Sequence, residues 1–204
     1  MSAPLPSPED VLEVWFGPDP SSPDVLTTHA PLWFGGGPDF DAMLRARFQP
    51  LLETLSAGPL ARDWAERGPK GRLAALIILD QVSRNIFRAS PRAFAQDLLA
   101  LTLCKEGLEA GENTRLSEVE RVFFYLPLEH SESLEDQHRS VALFEALHET
   151  ARPEFRDFTA NTLDYARQHL DVIRDFRRFP HRNTAVARAS TEAEQEWLAE
   201  GGGF

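Results

Sequence analysis

The sequence predicts an all-α fold. Apolar residues recur at the three- and four-residue spacing of helices along most of the chain, and the period-two alternation typical of strands is scarce. Helix-start signals are frequent as well, in the form of a serine or threonine cap followed by a proline or by an acid three residues later. Together these patterns predict about eight helices joined by short turns, arranged as antiparallel hairpins in a bundle or a helical solenoid.

The N-terminal half contains the first four predicted helices. A serine cap, a proline at the first helical position and two acids place the first helix at residues 7–17, where a glycine ends it. The second helix spans about 39–58 and is bent by Pro50. A short helix around Trp64 and a longer one over about 70–87 follow.

Residues 17–38 are predicted to be a loop, because the stretches PDPSSP and HAPLWFGGGP hold too much proline and glycine for a helix. The tripeptide Trp-Phe-Gly occurs twice, at 15–17 and at 33–35. Two interpretations of these aromatic pairs stay open. Either they close the ends of the core, since tryptophan and phenylalanine bury large apolar areas, or they belong to a lid packed over a cleft.

The C-terminal half shows further helix starts at capping residues and prolines. Pro127 interrupts one of these helices, and the tail at 201–204 is expected to fray. The predicted starts are Ser90-Pro91, Ser117, Ser133, Pro153 and Thr191.

Length and composition predict one soluble domain over residues 1–204. With 42% hydrophobic residues the chain can build a continuous core without disulfides. The single cysteine, Cys104, excludes an internal disulfide, indicates a reducing compartment and is a weak candidate for a nucleophile. The start of the sequence has neither a basic leader nor an apolar run, and LAALIIL is too short to span a bilayer. We therefore expect a cytoplasmic protein without a membrane partner.

The charge distribution argues against nucleic-acid binding and for a local anion site. The formal net charge is −11 and the pI is about 5.0, whereas affinity for nucleic acids comes mainly from cations that neutralise phosphates. Two segments, 70–92 and 174–188, are nevertheless rich in arginine. Basic segments within an acidic chain favour a confined site for a small anion.

The stretch IILDQVSRNIFR, residues 77–88, places polar groups on an apolar helix. Asp80, Arg84 and Arg88 are four residues apart and form one stripe, and Asn85 lies in the next. The apolar neighbours predict partial burial, where a charge that loses its partner costs about 3–5 kcal/mol. Other segments must therefore supply partners for these charges.

Two further segments carry candidate groups. Glu129 and His130 follow a helix break, where such a pair can be a general base, a metal ligand or a satisfied polar plug. Residues 181–183 (His181, Arg182 and Asn183) follow Pro180, where they can cap the preceding helix or face a site. His169 lies in an apolar stripe and is predicted to be a core histidine.

The sequence does not predict a metal site. A zinc ion held by Glu129, His130 and either His181 or His138 is the leading alternative. However, structural zinc sites need four ligands and the chain lacks the cysteines that usually supply them, so only an open, catalytic type of site would be possible. The identity of any cofactor stays unknown.

Three segments in a fixed order form a distinctive set: LDQVSRNIFR (79–88) with SPRAF (90–94), FYLPLEHSESLEDQ (124–137), and RFPHRN (178–183) with Ser190-Thr191. Together with VWFG and WFGGGPDFD near the start, they resemble a bacterial family known as domain of unknown function 924. The resemblance spans nearly the whole chain and implies a tetratricopeptide-like, all-α fold, but no established activity. Where the family pattern often has phenylalanine and proline after Asp-Gln, this chain has Val82-Ser83, which leaves the helix less interrupted.

The preferred functional hypothesis is a pocket for a small anionic ligand, with catalysis left open. Arginines can hold an anion bidentately while a carboxyl or imidazole group moves a proton. His181 would add a donor whose charge changes near pH 6.5. The predicted catalytic residues are Glu129, His130 and His181, and the predicted ligand-binding residues are Asp80, Arg84, Asn85, Arg88, Arg178, Arg182 and Asn183.

Two alternatives remain. The chain can be a helical interaction module that takes a peptide and uses the polar network as architecture, or the network can serve only to fix the register of the helices. The degree of enclosure distinguishes the small-ligand pocket from the peptide-binding module, because a closed pocket favours a small ligand and an open groove favours a peptide.

Overall fold

The structure, a computed structural model, describes residues 4–203. These residues contain helices and irregular segments but no strand, so the all-α prediction is confirmed. The α-helices are α1 (Pro8–Phe16), α2 (Asp24–Thr28), α3 (Ala30–Gly35), α4 (Gly37–Leu55), α5 (Pro59–Glu66), α6 (Pro69–Leu76), α7 (Ser83–Ile86), α8 (Asp97–Glu109), α9 (Glu118–Glu129), α10 (Leu134–Thr150), α11 (Arg156–Phe176) and α12 (Glu192–Ala199).

The prediction of a loop over residues 17–38 is wrong in part, because α2 and α3 form within it, and the predicted number of about eight helices is therefore too low. Three of the prolines that argued against a helix lie in first turns or at a cap, whereas Pro18 and Pro20 lie in the irregular segment before α2. Pro31 is in the first turn of α3, and Pro38 is in the first turn of α4. A proline is tolerated there because the N–H groups of a first turn have no partner within the helix.

An aromatic cluster closes this end of the core. Trp15, Phe16 and Trp33 are buried, and their rings lie 5.6, 5.4 and 4.8 Å from the ring of Phe123, measured between centroids. The indole N–H of Trp33 donates to the carbonyl of Trp15 at 2.7 Å. The two Trp-Phe pairs thus close the core through three of their four rings. The fourth, Phe34, is 65% exposed.

Prolines displace two other predicted boundaries. Ser90-Pro91 begins only a 3-10 turn, Pro91–Ala93, and the α-helix starts later, at α8. Pro127 lies inside α9 instead of interrupting it. Because it is two residues from the end of that helix, its missing N–H removes only one late hydrogen bond, and the N–H of His130 still donates to Leu126 at 2.9 Å.

A π-helical turn, Ile77–Val82, joins α6 to α7 in one continuous helix. Such turns carry one extra residue and re-aim the side chains that follow, often at functional sites. The turn buries Ile77, Leu79 and Val82 on its apolar side and also buries Asp80, which is 1% exposed. The helix is continuous here, as expected from Val82-Ser83 in place of the phenylalanine and proline of the family pattern. However, the register of its backbone hydrogen bonds changes.

The main core forms around the α6–α7 helix. Helices α1 and α4 pack on it from the N-terminal side, α8 and α9 pack on its other side, and α10 and α11 continue the stack from α9. A second, smaller apolar cluster of Val172, Ile173 and Phe179 takes in Trp197 of α12. The C-terminal segment is therefore attached mainly through this smaller cluster.

The C-terminal tail closes α12 with backbone bonds, since the N–H of Gly202 donates to Trp197 at 2.9 Å. The last residue of the tail predicted to fray, Phe204, lies outside the described residues, as do residues 1–3 at the start. Within 4–203, no helix combines the length and the apolar composition required to cross a membrane.

A buried ion pair fixes the contact between α6 and α8. The Nε of Arg72 donates to Glu112 at 2.8 Å and its Nη1 donates to the carbonyl of Leu103 at 3.0 Å. The stem of Arg72 crosses α8 at Gly107, where an added Cβ would approach Arg72 Cδ to 2.5 Å and Phe124 Cζ to 2.6 Å. Glycine is required at this crossing because the two helices leave no room for a methyl group.

We therefore expect Gly107→Ala to reduce the free energy of unfolding by about 1–3 kcal/mol, the usual cost of overpacking a core. Urea denaturation measures this change. Gly35→Ala is the matched control, because an added Cβ there meets no atom within 4 Å. Equal unfolding midpoints for the two variants would contradict the close approach.

Candidate functional site

A cavity of about 600 Å³ opens between the α6–α7 helix, α9, α11 and the turn at Pro180–Arg182. The exposed rings of Phe34 and Tyr165 lie at its rim. Its polar lining residues are Gln81, Arg84, Arg88, Glu129, His130, Asn161, Thr162, Tyr165, His169, His181 and Arg182. The cavity thus brings together parts of all three segments that the sequence singled out.

Asp80 lies behind the cavity wall and holds its polar residues in place. One carboxylate oxygen, Oδ1, lies 2.8 Å from Nδ1 of His130 and 3.1 Å from Nη1 of Arg84, and Gln81 donates to the other oxygen. Burial would raise the pKa of this carboxyl, but the charge of Arg84 and the contact with His130 lower it below its usual range. Asp80 is therefore ionised, and His130 donates to it from Nδ1.

Arg84 is fully paired with protein acids. Its Nη1 and Nη2 each donate to one oxygen of Asp97 at 3.0 Å, and Nη1 also donates to the carbonyl of Asp80 at 2.8 Å. The pKa of Arg84 is raised, because Asp80 and Asp97 outweigh the effect of burial. The sequence did not indicate Asp97 as a partner of Arg84. The helix start expected at Ser90 would place Asp97 inside a helix, whereas it lies in the first turn of α8.

Arg182 is the least neutralised cation of the wall. Its guanidinium group lies between the rings of Phe94 and Phe179, 4.9 and 4.3 Å from their centroids. Its Nη1 donates to the carbonyl of His130 at 3.1 Å, and the acid it contacts, Asp97, is 3.4 Å away. Burial, followed by repulsion from Arg84, lowers the pKa of Arg182 to about 10. Its charge is thus poorly compensated by the protein.

Glu129 is a buried carboxyl whose charge the protein does not compensate. It is 4% exposed, and its Oε2 has no hydrogen-bond partner among residues 4–203. Burial, with a further contribution from Asp80, raises its pKa to about 8. Its Oε1 lies 3.4 Å from Nδ1 of His169, whose pKa is lowered to about 3 by burial and then by His130. Near neutral pH, this contact therefore joins two largely uncharged groups.

The structure places His169 in the cavity wall, although the sequence predicted a core histidine. It is buried as predicted, but it lines the cavity next to Glu129 and His130. One ligand atom from each of these three residues lies within 4.8 Å of the others, so the three could hold a metal ion. The polar neighbours Thr162 and Tyr165 on the same helix were the only signal that could have indicated this position.

His181 lines the cavity, but its charge behaves differently from the prediction. Burial, followed by the charge of Arg182, lowers its pKa to about 4. The expected change of charge near pH 6.5 is therefore wrong, since His181 is already neutral there. Its neighbour Arg182 disfavours a second positive charge.

The remaining predicted residues pair with acids that do not line the cavity. Arg88 and Asn85 both donate to Asp41 of α4, and Arg88 is at the exposed rim. Arg178 and Asn183 donate to Glu194 of α12 and are not among the lining residues. The prediction that Arg178 and Asn183 lie in the same site as the other candidate residues is therefore wrong. Asp97, Asp41 and Glu194 supply acid partners for Arg84, Arg88 and Arg178 respectively.

We expect Asp80→Ala to lower the free energy of unfolding by about 3 kcal/mol, because it leaves His130 without its buried acceptor and removes one of the two acids that hold Arg84. Chemical denaturation at neutral pH measures the loss. Glu109→Ala, an exposed position on α8, serves as the control and should change stability by less than about 0.5 kcal/mol. Equal midpoints for the two variants would contradict the role of Asp80.

Comparison with known proteins agrees with this architecture. The chain matches the family described as "Bacterial protein of unknown function (DUF924)" over residues 11–202. A solved structure of a protein of unknown function, ATU0120 from Agrobacterium tumefaciens, superposes with a TM-score of 0.76 at 30% sequence identity, covering 95% of this chain and 97% of that one. The search of curated proteins found no match. Since the family match includes almost all of the chain, this protein belongs to the bacterial DUF924 family.

Proposed function

We propose that the cavity binds a small molecule that carries a carboxylate or phosphate group, and that this group contacts Arg182. The observation that carries the proposal is the position of Arg182, a buried cation in a cavity wall with its one contacting acid at 3.4 Å. The volume of about 600 Å³ lies within the range of small-ligand sites.

The electrostatics of the wall restrict where the anionic group can bind. Arg84 and Arg88 already hold carboxylates bidentately, so they position the wall and are not the main anion donors. The guanidinium group of Arg182 lies over the rings of Phe94 and Phe179, and these contacts help to keep its planar donor group oriented. An anion placed against it would gain a charge-assisted hydrogen bond and would compensate a buried charge.

The catalytic part of the hypothesis stays a prediction. Glu129 and His130 line the same cavity as Arg182, and both carry groups that can exchange protons. His181, which is neutral near pH 7, would act as a neutral hydrogen-bonding group. The geometry therefore favours Glu129 and His130 over His181 for any proton transfer.

A peptide-binding module is the weaker hypothesis. Its polar residues would be expected along an open groove, whereas here they surround a cavity between the α6–α7 helix, α9, α11 and the turn at Pro180–Arg182. The tetratricopeptide-like superhelix on which such a module would depend stays a prediction. A cytoplasmic setting is also part of the proposal, because Cys104, the only cysteine, is buried and its thiol donates to the carbonyl of Phe124 at 3.1 Å.

We expect at least one member of a panel of carboxylated and phosphorylated metabolites to raise the thermal midpoint. At a ligand concentration of 100 times the dissociation constant, binding adds about 2.7 kcal/mol to stability. This corresponds to roughly 5–10 °C for a protein of this size. Arg182→Gln should weaken that binding by at least about tenfold, the effect of losing one charge-assisted hydrogen bond.

Arg174→Gln is the matched control, because this exposed arginine of α11 pairs only with its neighbours Asp171 and Asp175. It should respond to the ligand as the unmodified protein does. An absence of any response across the panel, or an equal response in Arg182→Gln, would reject the anion site and favour a purely architectural network.

A further inference from the structure

We propose that Glu129, His130 and His169 bind a divalent transition-metal ion of the zinc type in the wall of the cavity. Two imidazoles and one carboxylate form a ligand set that holds zinc in catalytic sites, with a fourth position left for water or a substrate. The site shares the cavity with the proposed anionic ligand but does not depend on it.

The three residues are nearly in place for coordination. Their ligand atoms lie within 4.8 Å of one another. In a tetrahedral site with bonds of about 2.0–2.1 Å, ligand atoms are roughly 3.4 Å apart, so contraction by roughly 1 Å or less at each residue would complete the site.

The hydrogen bonds of both histidines select the nitrogen that would coordinate. A carbonyl oxygen only accepts, so the 2.8 Å contact between Nδ1 of His169 and the carbonyl of Tyr165 requires a proton on Nδ1. Nδ1 of His130 likewise donates to the carboxylate of Asp80 at 2.8 Å. In each neutral ring the lone pair therefore lies on Nε2, so the ring of His169, whose Nδ1 is the atom 3.4 Å from Glu129, would have to turn for Nε2 to coordinate. Metal-binding histidines are typically oriented in this way, by a carboxylate or a carbonyl behind the ring.

Glu129 supplies a second, independent observation. Its buried Oε2 has no hydrogen-bond partner within the part of the chain that the structure describes. Buried carboxyl oxygens nearly always have a partner, so an isolated one at a cavity wall indicates a missing ligand. A cation bound to this oxygen would meet that requirement.

The charges around the cavity support a cation at this position. Asp41 pairs with Arg88, and Asp80 and Asp97 pair with Arg84, with Arg182 near Asp97. Glu129 is the acid of the wall that contacts no arginine or lysine. A divalent ion would bind this carboxyl in its ionised form, releasing the proton that the carboxyl largely carries near neutral pH, and would also add positive potential for an anionic ligand beside Arg182.

This ligand set differs from the alternative considered for the sequence, which used His181 or His138 as the third ligand. The three residues whose ligand atoms lie within 4.8 Å of one another include neither His181 nor His138. The third ligand is His169 of α11. Its position in an apolar stripe of the sequence did not indicate which residues of other helices it contacts. The inferred site is of the open, three-ligand type that a chain without a cysteine cluster can form.

Isothermal titration of EDTA-treated protein with Zn²⁺ tests the proposal, with Co²⁺ absorption in the visible range as a report on coordination number. We expect one equivalent of Zn²⁺ to bind. Glu129→Gln and His169→Asn should each weaken binding by at least about tenfold, and Asp80→Asn, which alters the support of His130, by about 10–100-fold. His138→Gln, at an exposed position on α10, is the control and should bind as the unmodified protein does.

Failure of the unmodified protein to bind one equivalent, or equal affinity in Glu129→Gln, would overturn the metal site. If His169→Asn does not fold, Glu129→Gln decides alone, because it keeps the shape of a neutral carboxyl. The anion panel repeated with EDTA present separates the two proposals. A response there that Arg182→Gln abolishes supports the ligand site whatever the outcome for zinc.

Discussion

The candidate site depends on one buried carboxylate. Asp80 is almost inaccessible to water, and an ion in that position is stable only while positive charge and hydrogen-bond donors surround it. Arg84 and His130 meet this need, and in doing so they are fixed in orientation. Arg84 in turn fixes Asp97, and Asp97 is the acid nearest to Arg182. The geometry of one wall therefore follows from the requirement to compensate a single charge.

Local features of this design could be predicted from the sequence. The caps at Ser7, Ser117 and Thr191 are formed as expected, because a capping box needs only residues three positions apart. The same is true of the pair Asp80–Arg84, whose members are one helical turn apart. Proline was the one local signal that predicted helix boundaries poorly. Its effect on a helix depends on whether it lies in the first turn, near the end or in the middle.

Contacts between distant segments could not be predicted. Asp41, Asp97 and Glu194 each hold an arginine from another part of the chain, and nothing near these acids in the sequence shows which cation they meet. His169 shows the same limit. Its spacing indicates only that it faces inward, whereas its role depends on the end of α9, which packs against it. Charge counts along the sequence therefore overestimated the uncompensated positive charge.

The separate apolar cluster of the C-terminal segment has a consequence for dynamics. Arg182 belongs to a segment whose apolar residues Phe179 and Trp197 lie in a cluster separate from the large core around α6 and α7, and whose other contacts are mainly polar ones to Asp97, Glu132 and Glu194. Segments with few apolar contacts open locally at a lower free energy than the rest of a protein. Amide hydrogens of this segment should exchange with solvent before those of the central helices. One wall of the cavity thus belongs to a segment with fewer apolar contacts than the wall that carries Asp80, and we expect it to be the first part of the site to open.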